Sequence, residues 1–182
     1  MINVVKQYNQ PGKWEVEIPL DKVGEERSWV GIVDAREPGD YQLQVTSNHQ
    51  VVGTKGKITV KAVVGAHAKL TIKGVIKIAK EAQETEAFLE MRVLLVDSTA
   101  YAKADPELEI EANNVKASHA ASIGQIDPEQ VMYLMSRGLS MEDAKSTIIN
   151  ASLLVATLVS LELSKVALFQ LSQLPHQLWQ NS

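Results

Sequence analysis

The chain has 182 residues, 45% of them hydrophobic and 22% charged, which suffices for a globular body with a real core. Its net charge of −4 gives no general attraction to nucleic acid or to an anionic membrane. It has no cysteine, which excludes disulfides, thiolate catalysis and any cluster held by its own thiolates.

The N-terminal stretch MINVVKQYNQPGKW lacks a long apolar run, so no secretory leader is expected and a cytoplasmic protein is. Residues 1–125 then read as β. Trp14–Ile18, Tyr41–Thr46, Lys57–Lys61, Lys69–Lys73 and Leu108–Ala112 alternate apolar and polar residues with period two. Turn signals separate them at Gln10-Pro11-Gly12, Glu37-Pro38-Gly39-Asp40, Gly53, Gly56, Gly65 and Gly74. Many short strands without intervening helices imply an all-β layer. The pattern alone leaves a sandwich and a parallel β-helix both open, and it shows no fixed-period repeat.

Gly53-Thr54-Lys55-Gly56-Lys57-Ile58 resembles a phosphate loop but fails it. Only two residues separate the glycines, and Ile58 stands where a metal-binding hydroxyl is needed. A β-turn is the expectation there. Seven lysines lie between Tyr41 and Lys80 with no acid among them, and nine acids follow between Glu81 and Ala112. Opposite charges on neighbouring strands are expected to pair. An anion-binding surface at 55–80 is the alternative, and no aromatic residues interleave those lysines to support it.

The period changes after Gly124. Asp127 suits an N-cap, Pro128 the first helical position and Gln130 the capping-box position. Val131, Leu134 and Met135 form an apolar stripe, and Gly138 suits a left-handed C-terminal cap. Ser140 followed by Glu142 and Asp143 starts a second helix. Its pattern runs from Met141 towards Leu174, where Pro175 ends it, and Asn150–Ser152 leaves room for a bend or break. The 15 uncharged residues from Thr147 to Leu161 are too few to span a bilayer, which takes about 20. A buried helix is expected, its wide apolar surface covered by the β body, where it would cap the open end, or by a partner.

None of the four histidines, His49, His67, His119 and His176, pairs with another at metal-ligand spacing. Ser118 and His119 are strand neighbours that point to opposite faces, so they make no catalytic dyad. Proximity of His119 to Glu111 depends on how the strands stack. Glu81, Glu84 and Glu86 have no spacing that defines a carboxylate pair for sugar chemistry. No catalytic residue and no enzyme activity is expected.

The stretch Pro106–Ser140 carries a denser signal. In order it holds Leu108-Glu109-Ile110, Val115-Lys116-Ala117-Ser118-His119-Ala120-Ala121, Gly124-Gln125-Ile126-Asp127, Glu129-Gln130, Tyr133 and Ser136-Arg137-Gly138-Leu139. This sequence of elements closely resembles the C-terminal part of the SufB/SufD family, the scaffold proteins of SUF-type iron–sulfur cluster assembly. The resemblance is detailed over roughly Gly65–Ile149. It implies a mainly β fold, a short right-handed parallel β-helix at 1–125 followed by a C-terminal α-helical segment at 126–182. About 110 β residues would make about four to six coils of roughly 20 to 29 residues.

The same resemblance implies a non-enzymatic scaffold that dimerises through its β body, with itself or a SufB-like subunit. It implies docking of a SufC-like ABC-type ATPase through the C-terminal helices. It gives His119 a place at the subunit interface and, as a further role, ligation of a transient iron–sulfur cluster there. It gives Ser136, Arg137 and Gly138 a place on the partner-facing surface. Ala117 stands where the family often has cysteine, which removes a soft ligand. A minimal SufD-like homodimer without a cluster role is the main alternative.

Overall fold

The structure is a computed structural model, and it describes residues 2–160. Nine strands come first: β1 Ile2–Tyr8, β2 Gly12–Leu20, β3 Glu26–Ala35, β4 Gly39–His49, β5 Lys55–Val64, β6 Ala68–Ile78, β7 Thr85–Leu95, β8 Tyr101–Ile110 and β9 Val115–Gln125. Two helices follow, α1 Pro128–Ser136 and α2 Met141–Ser160. No strand pairs with its neighbour in sequence. Odd strands form one sheet in the order β1-β3-β5-β7-β9, even strands a second in the order β2-β4-β6-β8, and every pairing is parallel. The chain therefore winds between two facing sheets as a β-solenoid of about four turns, the second of the two β architectures that alternation left open.

From Glu26 onward the pairing advances by 29 to 32 residues per coil, as in Glu26↔Lys55, Thr85↔Val115 and Lys69↔Tyr101. Each coil holds two strands of about ten residues and two corners, so the earlier coils meet the upper end of the 20 to 29 expected from sequence and the later ones slightly exceed it. The variable corners are also why no fixed repeat is visible in the chain.

The core lies between the sheets, where rows of inward side chains stack from coil to coil. Leu20, Tyr41, Leu43, Ile58, Leu70, Ile72, Leu89 and Met91 are all buried there. Four of the stretches named from alternation fall within β2, β4, β5 and β6, and the fifth, Leu108–Ala112, overlaps the end of β8 as far as Ile110. β3 escapes that test because its centre, Trp29–Val33, is buried on both faces. Its inward row faces the core, while Val30 and Ile32 on its outer face pack under Leu153 of α2. Two-sided burial erases the alternation.

Two of the six turn signals fall inside strands. Gly56 lies in β5, where an added Cβ would meet the His49 ring at 2.7 Å; Gly74 lies in β6, where it would meet Leu89 at 2.7 Å. Both glycines make room for a neighbour rather than a turn. The lysine segment expected as a β-turn is thus a turn at Gly53 followed by strand β5.

A left-handed backbone position recurs at one corner of successive coils, at Gly24 (φ 70°), Gly53 (φ 72°) and Glu84 (φ 60°). The amide of each donates to the coil above: Gly24 to Val52 O at 3.2 Å, Gly53 to Gln83 O at 2.8 Å and Glu84 to Asn114 O at 2.6 Å. Nothing crowds a Cβ at Gly53, whose nearest neighbours lie at 3.8 and 3.9 Å. Gly53→Ala is therefore expected to cost about 1 kcal/mol through backbone conformation alone, measurable by urea denaturation.

Both helices start as the sequence indicates. The Asp127 carboxylate accepts from the Glu129 amide at 2.9 Å, with Pro128 in the first turn. Ser140 Oγ accepts from the Asp143 amide at 3.1 Å. α2 runs through Asn150–Ser152 without a break. The pattern towards Leu174 lies outside the described residues beyond Ser160. α2 lies along the outer face of the odd-strand sheet, over β1, β3 and β5, rather than across the end of the solenoid. No described helix is long and apolar enough to cross a membrane.

A histidine is sealed in this core. His49 is fully buried, its Nδ1 2.8 Å from Thr54 Oγ1, which lies 2.9 Å from Thr85 Oγ1 in the next coil. Its Nε2 has no partner. Burial pushes the imidazole from its usual 6.5 down to about 4. The folded state thus holds His49 neutral where the unfolded chain takes up a proton. The stability from this neutral site is complete above about pH 6.5 and is lost as pH falls towards 4, by about 3 kcal/mol at the limit. His49→Asn keeps a group for Thr54 and removes the titration; it should flatten the stability-versus-pH profile between pH 4 and 6.5 in urea melts.

Candidate assembly surface

Among the described residues the solenoid ends at β8 and β9, and each pairs there on one side only, β8 with β6 and β9 with β7. The opposite edge of each carries unpaired backbone donors and acceptors. Behind those edges the last core layer is open. The register Ala87↔Ala117, Leu89↔His119 and Met91↔Ala121 continues the buried inward row of β7 into β9. Ala117 and Val115 are half-buried against the core, as are Ala102, Ala104 and Leu108 from β8, but His119, Ala121 and Ile123 are exposed. His119 therefore stands in an interior-row position that no further described coil covers. Ser118 pairs with Phe88 on the outer row, so it faces the other way, as expected from strand geometry.

The two edges differ chemically. β9, VKASHAASIGQ, has one charged residue, Lys116, no proline, and mostly small side chains. Native proteins usually blunt such an edge with charge, proline or a bulge. β8 carries Pro106 and the acids Asp105, Glu107 and Glu109.

The lysine-rich segment is largely paired with the acids that follow or precede it. Lys73 Nζ lies 2.9 Å from Glu107 and Lys77 Nζ 3.0 Å from Glu109, both across the β6–β8 register. Lys55 lies 3.3 Å from Glu26 and Lys61 3.9 Å from Glu90. The hydrogen bond to Glu107 holds the Lys73 ammonium above its usual range, while burial pulls Lys61 down. These pairs neutralise much of the charge an anion would need.

Ser136, Arg137 and Gly138 form the turn between the helices. Gly138 takes φ 98°, its amide donates to Met135 O at 3.0 Å, and the Leu139 amide donates to Leu134 O at 3.3 Å, which closes the helix end with a left-handed glycine cap. Ser136 Oγ donates to Tyr133 O at 2.7 Å, and the Arg137 guanidinium sits 5.5 Å from the Tyr133 ring centre. All of these side chains are exposed. Among the described residues no hydrogen bond or ion pair joins this turn to His119, or His119 to Glu111.

Sequence reasoning missed a cleft of about 590 Å³ where the helices meet the C-terminal ends of the odd strands. Leu95, Ile126, Val131, Met132, Met135 and Met141 line it. The signal was a run of methionines on both sides of the α1–α2 turn, three of the five in the chain. Among the described residues no group of three or more His, Asp or Glu side chains is placed to hold a metal ion.

A two-sheet parallel solenoid with an open C-terminal end and a side-lying helical pair defines a β-solenoid class in which the open end, not a pocket, is the distinctive surface. The chain belongs to the SufBD family: residues 16–152 match the model described as "SUF system FeS cluster assembly, SufBD core domain". It is 42% identical over 77 residues to the iron-sulfur cluster assembly protein SufD of Escherichia coli strain K12, which covers 42% of this chain and 18% of that protein. It is 44% identical over 73 residues to SufD of Bacillus subtilis strain 168, covering 40% of this chain and 17% of that one. An iron-sulfur cluster assembly SufBD family protein of Archaeoglobus fulgidus is 44% identical over 69 residues, covering 38% and 19%. The matched stretches thus span less than a fifth of each of these relatives.

Because His119 is exposed and free of hydrogen bonds, its removal should leave the fold intact. His119→Ala is expected to shift stability by no more than about 0.5 kcal/mol, checked by thermal melting.

Proposed function

We propose that this chain is a non-enzymatic scaffold component of SUF-type iron–sulfur cluster assembly, with a β body at 1–125 and a helical docking part at 126–182. It dimerises through its β body, with a SufB-like subunit or with itself, and it docks a SufC-like ABC-type ATPase through the C-terminal helices. The observation that carries this reading is the uncapped solenoid end: two free strand edges and an open core layer, in a chain that belongs to the SufBD family. Addition of strands from another chain would pair those backbone groups and cover the layer. The Ser136–Gly138 turn and the methionine-lined cleft beside it supply an exposed, adaptable surface for the ATPase. A cytoplasmic setting belongs to the same reading.

His119 lies in the layer that such a dimer would bury. A transient cluster at that contact would be cargo, and with no cysteine in this chain its thiolates would have to come from the partner. The same absence favours, as a second reading, a minimal homodimer that contributes no cluster ligand.

A pull-down of the tagged full chain from its native cell tests the proposal. Recovery of an ABC-type ATPase and a scaffold subunit is expected, with Arg137→Ala weakening ATPase capture by about tenfold. His119→Ala should lower cluster assembly without loss of ATPase. Recovery of the homodimer alone would favour the second reading, and recovery of neither partner nor dimer would sink both.

A further inference from the structure

Methionine is the only sulfur-bearing residue in this cysteine-free chain, and three of the five methionines fall between positions 132 and 141. Met132 and Met135 lie one turn apart on α1, and Met141 opens α2. The turn between the helices brings them together, so all three line the cleft with Leu95, Ile126 and Val131. They are 69, 39 and 54% exposed, whereas Met91 in the core is 0% exposed. A single exposed apolar side chain is ordinary, but three thioethers sharing one open cleft make a patch. Asp97 is the one acid in the lining, and the Thr99 amide and hydroxyl already hold its carboxylate at 2.7 and 2.6 Å. What the cleft offers a partner is chiefly thioether and hydrocarbon.

An exposed thioether is open to oxidants of the peroxide class, and a buried one is shielded from them. The sulfur lone pair attacks one oxygen of hydrogen peroxide. An S–O bond forms, the O–O bond breaks, and the departing hydroxide takes the proton of the transferred oxygen and leaves as water. The sulfur is oxidised and the peroxide reduced. The sulfoxide is polar. Covered by an apolar partner that offers it no donor, its oxygen opposes docking.

We propose that Met132, Met135 and Met141 form an oxidation-sensitive patch, which peroxides switch from apolar to polar and so release what docks in the cleft. The change is reversible, because sulfoxide reductases restore the thioether. It spares the fold, because these three side chains stand outside the core cluster that holds Met91. This rests on the docking reading above and adds its regulation.

The test treats the full chain with hydrogen peroxide and removes the oxidant before any partner is added. Peptide mass spectrometry should find Met132 and Met141 oxidised about tenfold faster than Met91. Anilinonaphthalene sulfonate, a dye that fluoresces on apolar surfaces, should lose most of its binding. Affinity for an untreated ABC-type ATPase of the same cell should fall about tenfold, with little change in thermal melting. Methionine sulfoxide reductases A and B together should restore both, a control that needs no variant. Met132→Leu with Met135→Leu and Met141→Leu keeps the apolar volume and should bind equally before and after peroxide. Oxidation of Met91 as fast as the cleft methionines overturns the proposal. So do cleft sulfoxides that leave dye and ATPase binding unchanged. If the untreated chain captures no ATPase while the dye is still lost to peroxide and regained with the reductases, the docking reading falls and the oxidation-sensitive cleft stands.

Discussion

Every strand in this molecule bonds to the strand two positions away and to no nearer one. That single pairing rule makes the chain wind. It satisfies backbone groups between coils rather than within hairpins, and it stacks equivalent positions directly above one another. The corner amides at Gly24, Gly53 and Glu84 show the consequence, since each hands its hydrogen bond to the next coil from the same left-handed conformation. The rule also has no natural stop. A strand that bonds only backwards leaves its forward edge open, so β8 and β9 end the fold without closing it.

Stacking in register turns isolated residues into columns. Inward, this builds the continuous aliphatic core and places Thr54 over Thr85, with His49 bonded to the first of them. Outward, it sets a lysine column beside an acid column. The positive stretch and the negative stretch of the chain thereby neutralise one another across β6 and β8. The electrostatics of the surface thus follow from coil length: an advance of about 30 residues brings the basic segment alongside the acidic one.

The position of α2 matters as much as its existence. By lying along the odd-strand sheet it buries the outer face of β3, and no described element covers the solenoid end. Among the described residues that end combines an interior-row histidine, a neutral small-residue strand at β9 and a charged, proline-bearing strand at β8. They lie within residues 16–152, which match the SufBD core domain.

Much of the local structure was legible from residue order. Alternation located β2, β4, β5, β6 and β8 but not the equally half-wet β7, the Asp127-Pro128 and Ser140 caps located both helix starts, and the ordered motifs around His119 located the family. What escaped were features whose signal is cancelled by burial or by neighbours distant in sequence. β3 lost its alternation because both of its faces are covered, and Gly56 and Gly74 looked like turns although they make room for His49 and Leu89. The methionine cleft needed the helices to meet the strand ends. The sequence by itself determined the β-to-helix boundary, the absence of any thiol ligand and the membership of the family, because these depend on residue identity and short spacing. Only the tertiary structure decided the coil length, the side-lying helix and the open end that holds His119. Those depend on which strands share hydrogen bonds across about 30 residues of chain, and no local pattern encodes that choice.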